Sequence, residues 1–330
     1  MIMKKRNEIM VSICMITYNQ ESYIKQAIES ALMQNTSFNY ELVIGEDCST
    51  DLTRLVIEQY QSEFPDKIRL LLNEQNIGAV KNIAATMKAC QGKYIAILEG
   101  DDYWTSSDKL QKQVDFLERN PKYSSCYHAA QLVDRFGDPK IVIPTKKFRT
   151  PTSSLIDLIV HDSFMATCSV MFRNQFSGAM PPVFFASNMI ADWPLNMLNA
   201  QTGLIGYIDE VMAVYRSNSS DGAFTAKRSS DIMHEAIKIN EAFDEYLDFR
   251  YHDIFLKKLA RYYFIMSMDF ISLGEFKKAI WAMRKSVQKN FKVSFLLQAL
   301  FVKGPSNYIK RILRNMLGGR YSQIRKKLFY

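Results

Sequence analysis

Four short apolar runs alternate with stretches of helical spacing through the first 130 residues, and no other feature limits the fold as tightly. Residues 11–16, 40–44, 68–72 and 94–98 have the length and composition of buried strands. Between them, apolar side chains recur one helical turn apart: Tyr23, Ile24, Ala27, Ile28, Ala31 and Leu32, then Leu52, Leu55, Val56 and Tyr60, then Val80, Ile83, Ala84 and Met87. Ser49 or Thr50 is expected to cap the second helix and Pro65 to end it, while Gly92 stops the third. Repeated β-α-β units of this length predict an α/β fold, a mostly parallel sheet with helices on both faces.

In such sheets ligands bind beyond the carboxyl ends of the strands. Those ends read Thr17-Tyr18-Asn19, Glu46-Asp47, Asn73 through Asn76, and Glu99-Gly100-Asp101-Asp102, all polar and all expected on one edge. The last is the most telling. Three carboxylates within four residues, set directly behind an apolar strand, repel one another. A divalent cation relieves that repulsion, and hard oxygen ligands two residues apart, Glu99 and Asp101, suit Mg²⁺ or Mn²⁺. Tyr103 and Trp104 follow, so a lined cleft is expected rather than an open acidic turn. The chain contains no GxG and no GxxxxGK[ST], which excludes the dinucleotide fingerprint and the P-loop.

From about residue 135 to 225 the pattern is irregular and rich in proline, with a helical segment at 155–160 and an apolar strand at 168–172. After residue 230 the chain reads as helices. Phe255, Leu259, Tyr262, Tyr263, Met266 and Phe270 form one stripe; Phe276, Ile280, Met283 and Val287 form a second, beyond a break at Gly274. The expected division is therefore 1–225, an α/β domain, and 226–330, an all-α region. The five cysteines include no CxxC and are expected to be reduced core thiols. No cleaved leader is expected from the first 16 residues, and no 18-residue window is apolar enough to span a bilayer. Charge is unevenly placed: the last acidic residue is Glu275, and fourteen Lys or Arg follow it. A basic end of this kind suits an anionic surface.

Together, residues 12–19, 45–51, 73–78 and 98–104 resemble the motifs of the family 2 glycosyltransferases, in that family's order and spacing, over roughly residues 8–220. The resemblance implies the GT-A fold and an inverting transfer of a sugar from a nucleotide donor, most simply a UDP-sugar. It implies nucleotide contacts from Thr17, Tyr18, Asn19, Asp47, Asn76, Glu99, Gly100 and Asp101, with Tyr18 against the base and Asp47 on the uracil edge; Gly78 lies in the same loop. Glu99-Gly100-Asp101 resembles the family's DxD, so Asp101 and Glu99 would hold Mn²⁺ or Mg²⁺. Ala191-Asp192-Trp193 resembles the motif that carries the catalytic base, assigned here to Asp192; a helix cap is the structural alternative. Asp102, Trp104, Trp193, Arg216 and Asn218 are further candidates for phosphate or acceptor contacts. One departure stands out. The family pattern Tyr-Arg-x-His is Tyr215-Arg216-Ser217-Asn218 here, and an amide is a poorer ligand than imidazole for transition metals.

The implied acceptor is a hydroxyl of a lipid-linked or polysaccharide glycan in cell-surface glycan synthesis, as in a capsule or lipopolysaccharide. A short basic amphipathic stretch within 303–330 (Ile309, Ile312, Leu313, Met316, Leu317) would meet the inner face of a bacterial cell membrane, so a cytoplasmic, peripheral location is expected. Packing of that stripe on protein, as in a homo-oligomer, is the other reading, and nucleic acid is disfavoured. Two competing functions are a non-catalytic nucleotide-binding scaffold on the same fold and a sugar-nucleotide pyrophosphorylase. The latter normally carries a Gly-rich, Arg-containing loop after the first strand, where this chain has Thr17-Tyr18-Asn19-Gln20.

Overall fold

A computed structural model of the chain describes residues 8–134, 136–176, 180–217 and 229–289. Asn218 and the basic stretch at 303–330 lie outside the described residues. The elements run β1 (Ile9–Thr17), α1 (Ile24–Leu32), β2 (Asn39–Glu46), α2 (Thr53–Glu63), β3 (Ile68–Leu72), α3 (Ala79–Ala89), β4 (Tyr94–Glu99), β5 (Tyr103–Trp104), α4 (Lys109–Arg119), β6 (Tyr123–Val133), β7 (Pro139–Ile143), β8 (Thr152–Ser153), α5 (Leu155–His161), β9 (Met171–Arg173), α6 (Asp192–Ala200), β10 (Leu204–Arg216), α7 (Ser229–Tyr246), α8 (His252–Ser272) and α9 (Phe276–Gln288). One mixed sheet runs β3-β2-β1-β4-β9-β6-β10-β5, with β7 paired to β6 and β8 to β10. The first four strands in that order are parallel, as the β-α-β rhythm requires, and β9 enters antiparallel between β4 and β6. Contacts divide the chain into two compact units, Met1–Phe255 and Leu256–Tyr330.

Register decides where the polar ends fall. Thr17 pairs with Glu46, Glu46 with Leu72, and Ile16 with Glu99, so the parallel strands finish level with one another. Backbone bonds continue the ladder past the strand ends: Asp47 N–H donates to the Thr17 carbonyl at 3.1 Å, Asn73 N–H to Glu46 at 3.0 Å, and Gly100 N–H to Ile16 at 3.0 Å. The core beneath this edge is filled by Ile13, Met15, Leu42, Ile44, Ala96 and Leu98, each buried.

Several sequence expectations change on contact with the structure. Strand β6 carries little strand pattern of its own, because it buries Ser124, Ser125 and His128 where such a pattern would show Val or Ile, while β10 carries strand formers (Ile205, Tyr207, Ile208, Val211, Val214) inside the proline-rich segment read as irregular. The apolar strand expected at 168–172 is instead a 3₁₀ turn at Thr167–Ser169 followed by β9. Helix α2 begins at Thr53, and Asp51 rather than Ser49 or Thr50 accepts its first N–H, at 2.9 Å. That helix buries Thr53 and Ile57 and leaves Leu52 and Leu55 in solvent. Helix α9 likewise buries Ala279, Ala282, Met283 and Ser286, so of the expected stripe only Met283 is buried. In both helices small residues let the backbone come close, and the close face is not the most apolar one.

Trp104 and Trp193 were expected near the acceptor, but both rings are buried. The Trp104 ring N–H donates to the Cys168 carbonyl at 2.8 Å and that of Trp193 to Leu158 at 3.3 Å. Their role is therefore packing. Above Trp104, at 3.8 Å from its ring centroid, lies the ammonium of a fully buried lysine, Lys109, with no hydrogen-bond acceptor among the described residues. Burial pulls its pKa down to about 7. The folded state then binds fewer protons than the unfolded chain between about pH 7 and the ordinary lysine value near 10.4, so stability falls as pH drops through that window. Lys109→Met is expected to raise stability at pH 6 by about 2 kcal/mol and to leave it nearly unchanged at pH 10. Denaturant midpoints at the two pH values check this; a less stable variant at pH 6 would show that the cation–π contact outweighs the burial cost.

Candidate active site

The site grows from the level strand ends. Asp47, just past β2, is buried and spends both oxygens on the loop before α3. Its Oδ1 accepts Asn73 Nδ2 at 3.0 Å and Ile77 N–H at 2.9 Å, and its Oδ2 accepts Gly78 N–H at 2.9 Å. Gly78 sits at φ +86°, a conformation that disfavours other residues, and Asn76 Oδ1 accepts the same N–H at 3.1 Å. Neighbouring Glu46 is buried against Arg54, whose guanidinium also donates to the Asn73 carbonyl at 2.7 Å. Asn19, at φ +51°, ties the end of β1 to the loop after β2: its N–H donates to Ser49 Oγ at 3.0 Å and its Oδ1 accepts Thr50 N–H at 2.8 Å. Tyr18 between them stays exposed, at 41%. Thr17, Tyr18, Asn19, Asp47 and Asn76 are thus brought to one edge, where Asn19 ties the end of β1 to the loop after β2 and Asp47 holds the loop before α3.

Next to this edge, β4 delivers the acidic loop. A Cβ on Gly100 would lie 2.4 Å from Gln20 Oε1 and 2.8 Å from Thr17 Oγ1, so only glycine lets the loop pass this close to β1. Burial first, then Asp101 and Asp192, push the Glu99 carboxyl up to about 8. Burial, Asp101 and Glu99 also lift Asp102 well above the carboxylate range. Asp102 Oδ1 accepts the Arg216 backbone N–H at 2.8 Å, while its buried Oδ2 has no hydrogen-bond partner among the described residues.

Asp192 is 93 positions beyond Glu99 in the chain, yet it contributes to the Glu99 shift, so topology brings the two carboxylates within electrostatic range. It is the first residue of α6; Ala191 holds the cap position and no side chain caps the helix there. Burial raises the Asp192 pKa, against the backbone N–H groups of Trp193 and Asp192 itself and the Ser163 hydroxyl. Tyr215, near the end of β10, completes the group. Its phenol is pushed upward by burial and by Glu99, Asp102 and Asp192, and so stays a hydrogen-bond donor.

Arg216 was a candidate phosphate ligand. Its guanidinium is held between the Tyr23 and Tyr103 rings, at 4.9 and 4.7 Å from their centroids, and donates to the Asp101 carbonyl and, at 2.6 Å, to Gln26. It braces the acidic loop from behind. Ser163 and Tyr215 were not singled out as site residues from the sequence. Ser163 lies in an aperiodic loop with no local signal, while Tyr215 was legible only through the Tyr-Arg pair it belongs to.

Whether the loop suits a divalent cation follows from the same facts. The upward shifts of Glu99 and Asp102 show that Arg216 and the Cys168 thiol offset only part of the negative charge gathered in this loop. Among the described residues no three His, Cys, Asp or Glu side chains are arranged to hold a metal by themselves. One or two carboxylates that leave the remaining positions to water and phosphate oxygens are what Mg²⁺ typically uses, so the donor set fits.

With this geometry in place the comparisons are direct. Residues 12–176 match the model of glycosyl transferase family 2. The putative teichuronic acid biosynthesis glycosyltransferase TuaG of Bacillus subtilis is 29% identical over 238 residues, 70% of this chain and 90% of that protein. An uncharacterised protein of Mycobacterium tuberculosis is 36% identical over 221 residues, 66% of this chain; the match spans 62% of that longer relative. Among solved structures, S. aureus TarS 1-349 in complex with UDP-GlcNAc has a TM-score of 0.63 at 18% identity, over 85% of this chain and 81% of that one, which establishes the shared fold. The mixed α/β sheet with flanking helices is of the GT-A glycosyltransferase type. The chain belongs to glycosyl transferase family 2.

Proposed function

We propose that this chain is an inverting glycosyltransferase that moves a sugar from a nucleotide donor, a UDP-sugar, to a hydroxyl of a lipid-linked or polysaccharide acceptor in cell-surface glycan synthesis. The observation that carries the reading is the convergence of Asp192 with the Glu99–Asp102 loop at the carboxyl edge of the sheet. The UDP-GlcNAc complex of the TarS neighbour and the surface-polymer name of the TuaG relative support the donor and acceptor classes.

In this reading Tyr18 stacks on the base, since an exposed aromatic face beside a fixed polar rim suits any planar heterocycle. Asp47 and Asn76 shape the loop that borders it. Glu99 and Asp101 would hold Mg²⁺ or Mn²⁺, which when bound would screen the charge of the departing diphosphate. Asp192 takes the proton of the acceptor hydroxyl as that oxygen forms its bond to the anomeric carbon. The bond from that carbon to the diphosphate oxygen breaks, its electron pair leaves with the nucleotide, and attack from the opposite face inverts the configuration. Burial suits Asp192 to this task, because a lifted carboxylate is a stronger base than an ordinary one. Arg216 and Gly100 set the loop position on which Glu99 and Asp101 depend.

Among the described residues no helix is long and apolar enough to cross a membrane. We place the enzyme in the cytoplasm, at the inner face of the cell membrane, where a lipid-linked acceptor is found. Isothermal titration of UDP, GDP, CDP and ADP with and without Mn²⁺ or Mg²⁺ tests the donor site. UDP is expected to bind in the presence of metal, at least about tenfold tighter than the other three. Equal binding of all four would remove the uridine reading, binding with no turnover of any UDP-sugar would leave the nucleotide-binding scaffold as the better account, and no binding under any condition would remove the donor site altogether.

A further inference from the structure

The face of α9 that the core does not use has an unusual composition. Its inward side is Ala279, Ala282, Met283 and Ser286, all buried. Outward, Lys277, Trp281, Arg284 and Gln288 follow one another at i, i+4, i+7 and i+11 and make one continuous exposed strip. Phe276 and Val287 border the strip on one side and are 38% and 51% exposed; Lys278 and Lys285 border it on the other. Leu273, in the turn before the helix, is also exposed. Trp281 is 46% exposed even though one edge rests on Tyr263, with ring centroids 5.8 Å apart. Lys278 pairs with Glu275 at 2.7 Å, and no acidic residue follows Glu275 in the sequence.

We propose that this face of α9 is a docking surface for an anionic lipid bilayer. The charge pattern is complementary to such a surface, because Lys277, Lys278, Arg284 and Lys285 lie within about two and a half turns of α9 and no acidic residue follows Glu275 in the sequence. Charge alone would suit any polyanion. The apolar side chains choose among them: a nucleic acid or an acidic polysaccharide in water gives Trp281, Phe276 and Val287 no apolar phase to enter, whereas the headgroup region of a bilayer takes an indole and short apolar groups beside lysine and arginine. The inference is independent of the 303–330 stretch and of the catalytic reading, since it uses only described residues of α8 and α9.

The chain supplies its own reporter. Its three tryptophans are Trp104, Trp193 and Trp281, and the first two are buried, so a change in indole environment on binding reads the third. The full chain is titrated with phosphatidylcholine vesicles and with vesicles containing 30 mol% phosphatidylglycerol, at about 0.1 and 0.5 M salt. Binding to the anionic vesicles is expected at low salt, with a blue-shifted emission and protection from aqueous quencher. The double variant Lys277→Glu/Arg284→Glu should weaken it more than tenfold, Trp281→Ala should remove the blue shift, and Arg325→Glu/Lys326→Glu/Lys327→Glu should leave the shift intact. All substituted positions on α9 are on its exposed side, and circular dichroism confirms that each variant is folded. Vesicle binding without a blue shift, or binding that survives the α9 charge reversal and is lost with the 325–327 reversal, overturns the proposal. So does heparin binding as tight as vesicle binding with no spectral change, which would make the face a polyanion site.

Discussion

Asp192→Asn is expected to lower kcat by about 10³-fold while UDP affinity in the presence of metal stays within about threefold of wild type. The amide keeps the size of the side chain and its place at the start of α6, but it cannot take a proton. The split between turnover and binding matters because a purely structural Asp192 predicts the opposite pattern. If the carboxylate served as a helix cap, its loss would destabilise α6 by about 1 kcal/mol and disturb both parameters alike. Ala191 holds the cap position, but the Asp192 carboxylate accepts the backbone N–H groups of Trp193 and of Asp192 itself, so it is the split between turnover and binding that separates the two roles. Stability adds an independent sign. The Asp192 pKa is raised in the folded state, first by burial, so the protonated form is the one folding favours. Its contribution is therefore lost as pH rises above the ordinary aspartate value, and a neutral amide should make the protein equally or slightly more stable at pH 7. For the wild type, kcat/KM should climb with pH through a midpoint above that of an ordinary aspartate, and Asp192→Glu should keep a reduced rate with a shifted midpoint. A full rate in Asp192→Asn would remove the general-base assignment.

What the sequence made legible, and what it hid, separates along physical lines. The strands at 11–16, 40–44 and 94–98 are buried on both faces, the edge strand at 68–72 only in part, and all four read as mostly apolar runs, so the parallel half of the sheet and the polar row at its edge are legible in the sequence. Strands β6 and β10 obey a different rule. β6 buries serine and histidine beside partners from distant segments, which a local window does not reveal, and the strand formers of β10 are interrupted by the buried Gly206 and by Asp209 and Glu210. Gly206 illustrates the point: a Cβ there would lie 2.2 Å from the Phe116 ring, a constraint set by α4 rather than by its own strand. The helices were found but turned by part of a revolution, because Ala279 and Ala282 in α9, and Thr53 in α2, take the close-packed positions that large apolar residues were expected to fill. At the site, Glu99, Asp101 and Asp192 were visible as motifs. Their mutual approach, the hydroxyls of Ser163 and Tyr215, and the internal bracing by Arg216 depend on tertiary placement alone.

Asp101→Ala should abolish metal-dependent UDP binding, a loss of at least about 100-fold, and in doing so separate the two halves of the acidic loop. In metal-free solution the loop is a source of instability. Glu99 has a folded-state pKa of about 8 against an ordinary value of 4.5, caused by burial, then Asp101, then Asp192. A carboxyl whose pKa is raised on folding binds its proton more tightly in the native state, so its stabilising share is complete below about pH 4.5 and is lost as pH rises through 8. In a Lys109→Met background, which removes the opposing pH dependence of that buried lysine, the EDTA-treated protein should therefore melt at a lower temperature at pH 8.5 than at pH 6, by an amount set by roughly 2 kcal/mol after allowance for partial screening. Mg²⁺ or Mn²⁺ should restore the loss, because a cation favours the ionised carboxylates and binds the folded state alone. Glu99→Gln should melt higher than wild type in EDTA at pH 8.5 and respond weakly to added metal. In Asp101→Ala the remaining Glu99 and Asp102 repel less, so that variant too should gain stability in EDTA while losing nucleotide binding. The combination of higher stability and lost binding is what a charge cluster held for a cation predicts. If EDTA-treated wild type instead binds UDP as tightly as the metal-loaded protein, and neither substitution changes the melting temperature at pH 8.5, the loop holds no cation and the donor diphosphate must be met by other groups.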